Sequence, residues 1–181
     1  MTLLILGVLL WAFVHLFKRL APGRRAAMGD KARGPISLLL LGSVLLMVLG
    51  YRWADPGTIY WTRSPMLTGI NNLLMLLSVY LFAVSGMKTQ VARHIRHPQL
   101  TAVRFWAVAH LLVNGDLPSF LLFGGMLLWA EVEIFLINQQ TEWVKPAPAP
   151  IGKEVGAIVG GIAVFGAIAL VHSWLGYNPF G

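Results

Sequence analysis

The chain has 181 residues, of which 57% are hydrophobic and only 12% charged, and it contains no cysteine. A soluble domain carries about 25% charged side chains, so an ordinary water-soluble globule is excluded. The missing thiols exclude disulfides, iron–sulfur clusters and thiolate-bound zinc. The net charge of +7 belongs to the loops of a membrane protein and marks orientation, so no nucleic-acid partner is expected.

The apolar residues come in long runs near the length that a bilayer core demands, roughly 20 residues at about 1.5 Å each. In chain order these runs predict helices over Thr2–Phe17, Ile36–Trp53, Met66–Met87, Leu100–Val113, Leu117–Asn138 and Glu154–Gly176. The first has no basic residue before its apolar core, and its charges follow it. It therefore reads as a retained anchor and not as a cleaved signal. The fourth is short. Between the fourth and fifth, Asn114-Gly115-Asp116 reads as a turn, with Asp116 capping the next helix and Pro118 in its first turn. Pro146-Ala147-Pro148-Ala149-Pro150 lies in a linker over 145–152 and predicts an extended, stiff spacer. In the last helix Gly156 and Gly160 form a small-xxx-small pair suited to close helix packing. Trp53, Tyr60, Trp61, Trp143 and Trp174 fall near helix ends, as interfacial aromatics do.

The expected fold is all-α: a polytopic membrane bundle of about six transmembrane helices in a single domain over 1–181. Lys18, Arg19, Arg24, Arg25, Lys31 and Arg33 follow the first helix. Lys88, Arg93 and Arg96 follow the third, and Lys145 and Lys153 the fifth. With Arg104, these are 12 of the 14 Lys and Arg residues. Basic residues gather on the cytoplasmic side, which places both termini outside.

Ionisable groups within lipid-spanning helices are costly and mark function. His15 lies late in the first helix and His110 well inside the fourth. At about 1.5 Å per residue, allowing for tilt, the two reach comparable depths. Facing imidazoles in a bundle can hold a haem iron, with Trp11, Phe13, Phe105, Trp106 and Leu111 as apolar walls. They can equally be hydrogen-bonded histidines that tie helices together. Any haem is non-covalent b-type, since there is no Cys-x-x-Cys-His. Arg104 is expected to pair with Glu131 or Glu133, or with a haem propionate. Asn114, four residues after His110, is placed to orient its imidazole. Arg93, Arg96 and His97, beside His94, form either a plain helix start at Pro98 or a contact for a head group or cofactor phosphate. His172, near the outer end of the last helix, reads as an interfacial histidine, with a ligand role as the alternative.

Three stretches together resemble the NnrU family of integral membrane proteins. The first is Val14-His15 with Ala21-Pro22-Gly23-Arg24. The second is Arg96-His97-Pro98-Gln99 with Trp106 to Asp116 and Phe120 to Gly125. The third is His172-Ser173-Trp174-Leu175. The resemblance implies a role in denitrification and nitric oxide metabolism in a bacterial inner membrane. The family also includes a plastid 15-cis-zeta-carotene isomerase that uses haem b. Its iron-ligating histidines correspond to His15 and His110, while Trp129 and Ala130 stand where it carries histidine. A more distant likeness, in Arg96-His97-Pro98, is to isoprenylcysteine methyltransferases.

Two classes of function follow as expectations. One is a haem b protein that handles nitric oxide or isomerises a hydrophobic polyene. The other is a non-catalytic assembly partner of a respiratory or nitric-oxide-reducing membrane complex.

Overall fold

A computed structural model describes residues 1–181 and is all-α in class, its only strands being the two-residue pieces Trp61–Thr62 and Asn114–Gly115. The helices are α1 (Thr2–Leu20), α2 (Pro22–Ala27), α3 (Arg33–Arg52), α4 (Pro65–Met87), α5 (Pro98–Val113), α6 (Leu117–Gln140) and α7 (Ile151–Trp174). All six expected helices are present. Five are long and apolar enough to cross a membrane, and α5, with 16 residues, falls short of that length. Pro98 stands at the start of α5, where its missing N–H costs nothing, and the helix ends at the Asn114 turn. The short α2, within the basic segment, was not expected. The long helices expose large apolar side chains, such as Phe13 at 67% and Leu38 at 68%. Surfaces of this kind suit lipid and not water.

The chain packs as two compact units. The first comprises Met1–Tyr60 and Gly115–Gln140, and so holds α1, α2, α3 and α6. Its tightest seam joins α1 and α3. A Cβ on Gly50 would lie 2.3 Å from Leu4 N, and one on Gly7 would lie 2.7 Å from Met47 N. Glycine lets these two backbones touch. On α6, a Cβ at Gly125 would meet Val8 Cγ1 at 2.7 Å. Asp116 caps α6 as expected, its Oδ1 accepting from Ser119 N at 2.9 Å. Residues Phe120–Gly124 form a π-helical turn inside α6, a rare irregularity that no sequence pattern announced.

The second unit comprises Trp61–Asn114 and Thr141–Gly181, and so holds α4, α5 and α7. Ser64 caps α4 by accepting from Leu67 N. Buried Ser78 of α4 donates to Ala102 O of α5 at 2.7 Å. Glu154 of α7 accepts from the Tyr80 hydroxyl of α4 and from Val91 N. Residues 141–150 have no regular structure; the linker was expected over 145–152, and Ile151 and Gly152 instead open α7. The linker is pinned by Arg93 Nε to Pro146 O at 2.9 Å and by Ala149 N to Gln90 Oε1 at 3.2 Å.

The end of α7 is closed by a Schellman motif. Tyr177 N donates to His172 O at 2.8 Å and Gly176 N to Ser173 O at 3.0 Å. Gly176 takes φ of +91°, a conformation costly for any residue with a Cβ. Its Cβ would meet nothing within 4 Å, so the cost of Gly176→Ala is conformational alone. We expect a loss of about 1 kcal/mol, read as a lowered unfolding midpoint in detergent, with Gly176→Asn losing less.

Candidate functional site in the second unit

Helices α4, α5 and α7 line a half-open cavity of about 500 Å³, a size typical of small-molecule sites. Its walls are almost wholly apolar: Met75, Val79 and Phe82 from α4, Trp106 from α5, Val164 from α7. The cavity exists because Gly156, Gly160 and Gly161 line one side. A Cβ at Gly160 would meet nothing within 4 Å, whereas one at Gly156 would meet the Met87 methyl at 2.8 Å. The glycine pair read as close packing is therefore half packing and half cavity wall.

Two imidazoles line this space, His110 from α5 and His172 from α7. They lie within electrostatic reach of each other. His110 Nδ1 is 2.8 Å from Trp106 O, and His172 Nδ1 is 2.8 Å from Ile168 O. A carbonyl only accepts, so each Nδ1 carries the proton and each lone pair resides on Nε2. That is the tautomer a metal-ligating histidine needs, and its ring is already held by the helix turn before it. The Trp106 ring lies 5.3 Å from that of His110.

Of the walls expected around His110, Trp106 lines the cavity, and Phe105 and Leu111 do not. The Asn114 amide donates to His110 O at 2.8 Å. It thus fixes the end of α5, and the expected direct hold on the imidazole is corrected: Trp106 O performs it. Arg104 lies half-buried on α5, away from the cavity lining. Arg96 Nη2 donates to Thr141 O and Oγ1, and His97 is the residue at the N-terminal boundary of α5. Arg93 and Arg96 thus hold the linker, which favours the plain helix-start reading over a phosphate contact.

His15 belongs to the first unit. Its Nδ1 is 3.0 Å from Trp11 O, and its ring packs 4.2 Å from Trp11 and 4.9 Å from Trp129. Phe13, expected as a wall, points outward. Nearby Glu133, 4% exposed, pairs with Arg19 at 3.1 Å.

The family model for NnrU protein matches residues 3–179. The chain belongs to the NnrU family. No curated protein and no solved structure matches it. In this NnrU chain the residue that sequence reasoning left out of the site is His172. It was read first as interfacial, because it lies near the outer end of the last helix, and only second as a ligand. Its occurrence in the His-Ser-Trp-Leu stretch was the available signal.

Proposed function

We propose that this NnrU-family chain is a membrane-embedded haem b protein, with His110 as an iron ligand, in a bacterial inner membrane. The observation that supports this most is the His110 imidazole, in the ligating tautomer, facing an apolar cavity large enough for a flat cofactor. The donor set fits haem better than a bare ion. Two imidazoles with no carboxylate or thiolate in the lining make a poor cage for zinc or magnesium. They suit a macrocycle that supplies its own four nitrogens. The lining contains no Lys or Arg, so the cofactor is held by its ring and its iron and not by its carboxylates.

Haem supplies a redox-active iron able to bind nitric oxide. The chain's own residues would position it: Trp106 O holds the His110 tautomer, Ser78 fixes α4 to α5, and the apolar walls offer a surface that suits a flat ring. Nitric oxide metabolism linked to denitrification is favoured over polyene isomerisation. The reason is that Trp129, buried against His15, and Ala130 stand where the isomerase carries histidine.

Filling the cavity tests this reading. A Cβ at Gly160 meets nothing within 4 Å and Gly160 lines the cavity, so Gly160→Phe starts without a clash at Cβ and is expected to fill the cavity in a folded protein. Haem content after purification should fall at least about tenfold, since a site that cannot accommodate its ligand loses most of the binding energy. Undiminished haem in this variant would place the cofactor elsewhere.

A further inference from the structure

Resting on the haem reading above, we infer that His172 is the second iron ligand, making a bis-histidine site built wholly from α4, α5 and α7. Three observations converge. His172 lines the same cavity as His110, on a different helix. Its Nδ1 is tied to the carbonyl one turn back, Ile168 O at 2.8 Å, matching the Trp106 tie of His110. Both lone pairs are thereby assigned to Nε2, the nitrogen at the far edge of each ring. No other side chain in the lining is a strong iron donor; Met75 and Met87 offer only thioethers.

The backbone at His172 is also unusually well fixed for a residue near a chain end. His172 O accepts from Tyr177 N. The segment after it is fastened back to the second unit by Arg63 Nη1 to Asn178 O at 2.9 Å and Asn72 Nδ2 to Pro179 O at 3.0 Å. Phe180 packs on Phe165 of α7. This strap holds the last turn of α7, and so holds the ligand.

The test is the spin state of the purified, full-length holoprotein. Wild type should be low-spin by electron paramagnetic resonance and by its absorption bands. His172→Ala should retain haem but become high-spin. Carbon monoxide should then bind to its reduced form at least about tenfold faster, since no bond has to break first. His172→Met keeps the side-chain bulk, and it should exchange imidazole for thioether and raise the reduction potential. It serves equally if the alanine variant does not fold. Wild type that carries haem while both variants keep the unaltered low-spin spectrum overturns the inference and leaves the haem reading standing. So does loss of the sixth ligand in His15→Ala in place of His172→Ala. A wild type that binds no haem removes both.

Discussion

His110→Ala is expected to yield a folded protein that loses haem on purification, with affinity lowered at least about 100-fold. Replacing groups that merely orient a metal ligand costs 10–100-fold in affinity, so deleting the ligand itself belongs at or beyond the upper end. The fold should survive. The imidazole is tied to its own helix, Nδ1 to Trp106 O, and α5 is seated on α4 through Ala102 and Ser78, which the change leaves alone. The loss of one such hydrogen bond costs about 1 kcal/mol, and enlarging an already open cavity adds little. Haem per chain, with circular dichroism and size-exclusion behaviour as controls, reads the outcome. Full haem retention would show that His110 does not hold the iron.

Gly50→Val is expected to give the largest stability loss in the first unit, about 3 kcal/mol or more. The new Cβ would lie 2.3 Å from Leu4 N, 2.7 Å from Leu4 Cα and 2.9 Å from Leu3 C. All three are backbone atoms, so no rotamer change relieves the clash and α1 must separate from α3. In lipid, helix association depends on just such close van der Waals packing. Gly42 lies on the same helix, and its Cβ would meet nothing within 4 Å. Gly42→Ala should therefore be neutral or stabilising by up to about 1 kcal/mol, from helix propensity alone. Denaturant unfolding of the two variants in the same detergent checks the contrast. Equal midpoints would mean that the α1–α3 seam does not bear on stability.

The helices were legible because their punctuation is chemical. Asp116-Leu117-Pro118 marks the start of α6, and Asp116 caps as its type dictates; the Ser64 cap of α4 was not anticipated. Gly176 marks the close of α7. The faces of the helices were not legible. A helix that is apolar all round carries no stripe to say which side meets lipid and which meets a neighbour. For that reason Met75, Val79 and Phe82 could not be named as cavity walls, and Phe13 was assigned inward when it points out. Nor could spacing distinguish Gly50, pressed on Leu4, from Gly42, in open space. Long-range pairs are hidden for a related reason. Arg19 and Glu133 lie 114 positions apart, and only the packing of α6 on α1 joins them. His110 could be found from sequence because a buried imidazole is costly enough to need a purpose. His172 was masked by its place near a helix end, and only the shared cavity shows it beside His110.

The most direct measurement is the absorption spectrum and pyridine haemochrome of the wild-type chain, purified in detergent from haem-replete cells. The account predicts stoichiometric haem b, with a Soret band that shifts on dithionite reduction. A helical, monodisperse, colourless protein that also takes up no added haemin would contradict it.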